Sequence, residues 1–299
     1  MNKILSLFIL ATSLFAQTSL ANLTSSTDEQ IKKNELLVGY YGRPNAKALG
    51  ILGESNIDTL VLKMKKKREY FKKELDNKFD VKLAFHIIHS LATKDPGRRN
   101  DYLLGMRKST VLKYIKRAKE EDFAVILDVQ LGTKTPKEAV MPLLQYLKYK
   151  NVHIAIDPEF KIPTHRRYPP GKYVGHIFGN HLNEAQELIS NYLVENNIIE
   201  KKKIIVHMFH PRMLRKKEDV KNYDNIQLIY NVDGHGSAGV KVKIYNSLYA
   251  VSQEKKAIGG FKIFNKTDKK PIMTPKEILG LENVGSQKIK IQPYYINYH

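Results

Sequence analysis

Two carboxylates, Asp157 and Glu159, stand two residues apart at the end of the run Val-His-Ile-Ala-Ile-Asp-Pro-Glu-Phe over 152–160. The run reads as a short buried strand. Side chains two apart on a strand share a face, so His153, Ala155, Asp157 and Glu159 point one way. Pro158 cannot donate to a ladder, which predicts that regular pairing stops there. Two acids therefore meet where a strand gives way to a loop, the place where ligands bind in parallel α/β sheets. Like charges a few ångströms apart push each other's pKa values apart, so such a pair divides into a proton donor and an ionised partner.

Similar strand ends recur along the chain. Tyr41 and Arg43 follow the first predicted strand, His86 or His89 the second, Asp128 and Gln130 the third. His207 or His210 follows a later strand, and Asn231 or Asp233 the next. Gathered at one mouth, these residues give four candidate catalytic acids: Glu159, Asp157, Asp128 and Asp233. The candidate substrate-binding residues are Tyr41, Arg43, Gln130, His86, His207, Arg166, Tyr168 and Asn231. Paired carboxylates of this kind serve glycoside hydrolysis. A second carboxylate ~5–5.5 Å from the donor gives retention, and one at ~6.5–9.5 Å gives inversion.

The elements that must position these residues alternate along the chain. Apolar, β-favouring runs lie at 36–41, 81–88, 123–131, 152–160, 173–178, 203–209, 226–232 and 257–264, and the run at 173–178 is the weakest pattern of the eight. Helical patterns fall between them, at 57–75, 107–121, 136–150, 183–196, 211–222 and 241–253, with a short last one opened by Thr274-Pro275-Lys276-Glu277. Strands covered on both faces and alternating with helices predict a parallel sheet. Eight such units in this length predict a single-domain (β/α)8 barrel over 36–299. The tyrosine-rich segment 288–299 is expected to pack across the barrel or an edge.

Residues 1–21 have the basic start, apolar run and Ser19-Leu20-Ala21 ending of a secretory signal, with cleavage expected after Ala21. Residues 22–35 read as a flexible lead-in. Export to the periplasm or medium is the expectation, with about 278 residues remaining, close to the ~250 of one barrel domain. There is no cysteine, which excludes a disulfide scaffold, a thiol nucleophile and a cysteine-bound metal. The net charge of +20 favours anionic partners. Zinc-finger spacing and aromatic RNA-binding signatures are absent, so nucleic acid is not an expected partner. Two basic stretches, Arg98-Arg99 and His165-Arg166-Arg167, flank the acids in sequence and point to a polysaccharide or other anionic envelope polymer. Tryptophan is absent, leaving Tyr40, Tyr41, Tyr168 and Tyr230 as the rings on which a sugar would stack. Oligomeric state is not legible.

The strand end Asp157-Pro158-Glu159 resembles the D-x-E strand end of (β/α)8 glycoside hydrolases such as family 18 chitinases and family 25 lysozymes. The resemblance implies that Glu159 is the proton donor and Asp157 the partner that sets its pKa. The strand departs from the chitinase pattern at His153 and Ala155, where chitinases carry further aspartates, which argues against a substrate-assisted mechanism. The stretch Gly39-Tyr40-Tyr41-Gly42-Arg43-Pro44 through Leu49-Gly50-Ile51-Leu52-Gly53-Glu54 is similar to a motif of uncharacterised secreted bacterial proteins, and implies no activity.

Two other constellations bear on chemistry. His86-x-x-His89 and His207-x-x-His210 have chelate-like spacing for a helix, but on strands residues three apart face opposite sides. Separate histidines such as His86 and His207 can still meet beside Asp128 or Asp233, as a metal-dependent hydrolase or phosphodiesterase would require. Gly234-His235-Gly236-Ser237-Ala238-Gly239 matches G-x-G-x-x-G. With one strand after it, it reads as a tight loop able to offer backbone N–H groups to a phosphate. Ser237 is not in a G-x-S-x-G elbow, so a serine hydrolase is not expected. The leading expectation is a secreted hydrolase of a glycosidic bond in a polysaccharide or peptidoglycan-like polymer. It needs no cofactor, although a divalent metal stays open. The alternatives are the metal-dependent hydrolase and a non-catalytic glycan- or protein-binding barrel.

Overall fold

Period-two alternation along eight strands builds a closed parallel barrel in the computed structural model, which describes residues 34–163, 168–250 and 256–299. The strands are β1 (Glu35–Gly42), β2 (Asp80–Ala92), β3 (Phe123–Gly132), β4 (Val152–Lys161), β5 (Lys202–Met208), β6 (Ile226–Val232), β7 (Ile258–Ile263) and β8 (Tyr295–Tyr298). Each pairs in parallel with the next, and β8 pairs with β1 to close the ring. The expected single-domain (β/α)8 architecture is therefore present.

One of the eight predicted strands does not join the barrel. The segment 173–178 contributes only Ile177–Phe178, which pairs with Leu214–Arg215 outside the barrel. Gly175 explains why. Its N–H donates to Glu159 O at 2.6 Å, and a side chain there would meet Pro158 O at 2.4 Å, so the segment folds back against the end of β4. The vacancy is filled from the C-terminus: the segment expected to pack across the barrel supplies its eighth strand.

The helices lie outside this ring: α1 (Ile57–Glu74), α2 (Lys108–Glu120), α3 (Pro136–Val140), α4 (Gly179–Glu195), α5 (Ala238–Tyr245) and α6 (Pro275–Ile278). Asn56 caps α1 by accepting the Thr59 N–H at 2.9 Å. Thr135/Glu138 and Thr274/Glu277 form capping boxes with proline in the first turn, as the sequence predicts. The predicted helix at 211–222 is instead two short 3₁₀ turns, Pro211–Met213 and Lys217–Asp219. The strand β2 runs past its predicted end to form a hairpin with Leu103–Gly105. The expected signal and most of the lead-in lie outside the described residues, among which no helix is long and apolar enough to cross a membrane.

Alternate residues of each strand divide between two compartments. Val38, Phe85, Leu127, Ile154, Val206 and Tyr230 join the core beneath the helices, while their neighbours turn into the lumen. Halfway along the lumen, buried Ala84, Ile126, Ala155, Ile205 and Ile229 form an apolar plug. Tyr295 enters there because β1 has Gly39 beside it, where a Cβ would lie 2.7 Å from its hydroxyl. Above the plug the lumen turns polar.

Candidate active site and the buried cluster beneath it

At the C-terminal ends of the strands a cavity of about 550 Å³ opens. Asp157 and Glu159 of β4 line it, as do Asp233 just past β6, Gln130 of β3, Tyr41 of β1 and Lys262 of β7. The loop and strand-end residues Phe160, Phe209, Phe264 and His299 supply its apolar wall. This is the end at which barrel enzymes hold their active sites.

The four candidate acids sit at different depths. Glu159 is half-buried at the mouth, and burial, reinforced by Asp233, holds its carboxyl above the usual range. Asp157 is deeper, 4% exposed. Its Oδ1 accepts the Glu159 N–H at 2.9 Å, a tight turn that fixes both acids around Pro158. Burial pushes Asp157 up to about 7 against the pull of His207, with Asp128, Glu159 and Asp233 adding to the rise. Asp233 moves the other way. Burial opposes its ionisation, but the His207 hydrogen bond and Lys262, whose Nζ lies 3.7 Å away, outweigh it. Asp128 does not reach the cavity; it is fully buried below the floor.

The floor is Tyr41. Its ring lies 4.9 Å from that of His86 and 5.7 Å from that of His207, and Lys262 Nζ sits 3.9 Å from its centroid on a cation–π contact. Under it, His86, Asp128 and His207 form a cluster with no exposed surface. His207 Nε2 is 3.5 Å and His86 Nε2 3.6 Å from the same oxygen, Asp128 Oδ2. Neither nitrogen nor either Asp128 oxygen makes a hydrogen bond of good geometry, although His86 and Tyr41 both bear on the carboxylate. The outer nitrogens are well held: His207 Nδ1 is 3.0 Å from Asp233 Oδ2, and His86 Nδ1 is 2.7 Å from the Tyr295 hydroxyl. Burial lowers His86 to about 4. For His207 the same burial is outweighed by Asp128 and Asp233, which raise it.

Of the proposed substrate contacts, Tyr41 and Gln130 line the cavity; Gln130 Oε1 also accepts the Ala92 N–H at 2.7 Å. His86, His207 and Asn231 lie beneath the floor with no exposed surface, too deep to touch a ligand in the cavity. Arg43 is committed elsewhere. Its guanidinium donates to Ile88 O, His89 O and Gly105 O at 3.0–3.3 Å, clamping β1 to the β2 hairpin. Tyr168 packs edge-on against Tyr173, at 5.2 Å, away from the cavity wall. Arg166, with His165 and Arg167, falls outside the described residues. Of the other expected stacking rings, Tyr40 and Tyr230 face the helix-side core.

Other expectations resolve in the same geometry. His89 and His210 point away from the cluster, as strand alternation requires; His210 instead caps a 3₁₀ turn. The loop at Gly234–Gly239 has no amide to spare at Gly236, whose N–H donates to buried Asp268 at 3.0 Å. Lys241 joins that carboxylate at 3.0 Å and Gly234 O at 2.7 Å. Ser237 caps α5.

Lys262, Tyr295 and His299 were not among the sequence-derived candidates. Lys262 follows Gly259-Gly260-Phe261 in a strand whose inward face could have been counted from Phe261. Tyr295 and His299 depended on recognising the C-terminal segment as a barrel strand. The sequence matches no protein-family model and no curated protein, so its chemistry rests on the site itself.

Proposed function

We propose that the protein is a hydrolase of a glycosidic bond in a polysaccharide or peptidoglycan-like envelope polymer, exported by its N-terminal segment. The observation that carries this reading is the convergence of Glu159, Asp157 and Asp233, from strands β4 and β6, on one cavity at the C-terminal mouth. Glu159 is the proton donor to the leaving oxygen: it is half-buried, borders open space and is held toward its protonated form by burial. Asp233 is the ionised carboxylate, kept so by the His207 hydrogen bond and the nearby Lys262 ammonium, and it faces the charge that develops at the anomeric carbon. Asp157 backs Glu159 through the hydrogen bond to its N–H.

Phe160, Phe209 and Phe264 offer faces for the C–H side of a sugar, the role that tryptophan commonly fills. The lining carries three carboxyls against Lys262, so the reacting residue is a neutral or amino sugar. Any anionic groups of the polymer then meet the lysine-rich surface outside the cavity.

The test is turnover of labelled envelope glycans by the purified protein, followed by release of new reducing ends. Wild type is expected to cleave at least one glycan. Glu159→Gln is expected to lose 10²–10⁴-fold in rate while retaining the glycan in a pull-down. Absence of release from every glycan, or release that survives Glu159→Gln, overturns the reading, and binding without any release identifies a non-catalytic barrel.

A further inference from the structure

We infer that the buried His86–Asp128–His207 cluster is a binding site for one first-row divalent transition-metal ion of the zinc type, seated under the cavity floor and separate from the carboxylates at the mouth. Three observations carry it, none of which depends on the hydrolase reading. The first is spacing. The two Nε2 atoms stand 3.5 and 3.6 Å from Asp128 Oδ2, and all three atoms lie within 4.8 Å of one another. The two edges to Asp128 are too long for good hydrogen bonds. They match the ~3.3–3.6 Å between two ligands that each lie ~2.0–2.1 Å from a zinc ion at tetrahedral to trigonal angles.

The second is unmet bonding. Both Asp128 oxygens and both Nε2 atoms are buried without a hydrogen bond of good geometry, with only the looser approach of His86 and Tyr41 to the carboxylate. A buried carboxylate left this way is costly, and an ion at the centre satisfies the three facing atoms together. The third is the outer contacts. His207 Nδ1 lies 3.0 Å from the Asp233 carboxylate, which can only accept, and His86 Nδ1 lies 2.7 Å from the Tyr295 hydroxyl. In the tautomer that carries the proton on each Nδ1, each Nε2 turns its lone pair toward Asp128. Carboxylate or hydroxyl partners on the far nitrogen are the usual support of metal-bound histidines. Two imidazoles and one carboxylate, already assembled from β2, β3 and β5, suit zinc, cobalt or iron(II) rather than calcium or magnesium. Under the Tyr41 ring the ion would tie three strands together and fix the floor.

The experiment uses the whole protein with zinc or cobalt(II) as probe. Protein purified from zinc-supplemented cells should retain about one equivalent after dialysis. It should melt at a lower temperature after a strong chelator, recover with zinc, and give an intense low-coordinate visible spectrum with cobalt. His207→Gln and Asp128→Asn should each lower affinity at least tenfold, Asp233→Asn by ~10–100-fold through the outer contact, and Glu159→Gln should retain the metal. If the histidine variant does not fold, Asp128→Asn and the wild-type cobalt spectrum still decide. A folded wild type that holds no metal and melts identically with zinc or chelator overturns the site, because a proton on His207 would then be holding the cluster. Loss of metal in Glu159→Gln also overturns it by moving the ion to the mouth. Neither result depends on whether a glycan is cleaved.

Discussion

The two ends of the barrel lumen bury similar side chains in opposite ways. At and around the N-terminal end His153, Lys202 and Tyr294 are each met by a fixed partner. His153 Nδ1 accepts the Lys203 N–H at 3.2 Å, Lys202 Nζ donates to Tyr149 O at 2.9 Å and Lys150 O at 3.3 Å, and the Tyr294 hydroxyl donates to Glu35 at 2.7 Å. At the C-terminal end, above the apolar plug, Asp128, Asp233, Asn231 and Asn297 each keep a buried oxygen without a hydrogen bond. Backbone partners settle the lower end because loops and strand starts are close by. The upper ring has only other side chains to meet, and they converge on shared space instead of pairing off. Buried polar groups are nearly always satisfied. A concentration of exceptions at one end marks the end selected for something other than stability.

That contrast predicts a division between variants that damage folding and variants that damage function. The largest expected effect sets Ile205→Ala in the plug against Asp157→Asn in the ring. The first should cost about 2–5 kcal/mol in a urea titration and leave turnover per folded molecule unchanged. The second removes a buried carboxyl but keeps an oxygen for the Glu159 N–H, so the urea midpoint should stay level or rise while glycan turnover collapses. Equal loss of stability in both would erase the distinction.

The next effect is in pH. Burial lowers His153 at the lower end well below its ordinary value, and lowers His89 and His299 near the mouth to about 4. At these three positions the unfolded chain, whose imidazoles titrate near 6.5, then binds more protons than the folded one below that pH. Their contribution to stability is therefore fully present above about pH 6.5 and declines as pH falls toward 4, opposite in sign to that of the raised Asp157 and Glu159. His153→Gln should make the acid limb shallower without touching the mouth; an unchanged limb would remove His153 from the account. The smallest effect lies outside the lumen altogether. Asn56→Ala deletes the α1 cap and should lower stability by about 1 kcal/mol with no change at either end, which calibrates the other measurements.

The alternation that sorts inward from outward residues could be counted directly. The sequence puts Asp157 and Glu159 on one face of their strand but leaves His86 or His89, His207 or His210, and Asn231 or Asp233 open. The apolar neighbours packed under the helices settle the parity and turn His86, Asp128, His207 and Asn231 inward. Parity does not give height. Strands in a barrel are tilted and staggered, so Asp128 falls below the Tyr41 floor while Asp157, one strand away, reaches the cavity. Arg43 illustrates a second limit. Its position after β1 suggested a ligand contact, yet the extension of β2 into a hairpin brought three carbonyls to its guanidinium first.

Composition and periodicity by themselves determined a parallel α/β barrel and the strand-end acids Asp157, Glu159 and Asp233 that line its C-terminal cavity, since each of these follows from local pattern. The tertiary structure alone decided which strand closed the ring: 173–178 is bent back by Gly175, and Tyr295–Tyr298 takes the eighth place. It also brought Tyr295 to His86 and Lys262 to Asp233. Those contacts join residues up to 209 positions apart, and what joins them is barrel closure, a property of all eight strands that no local window contains.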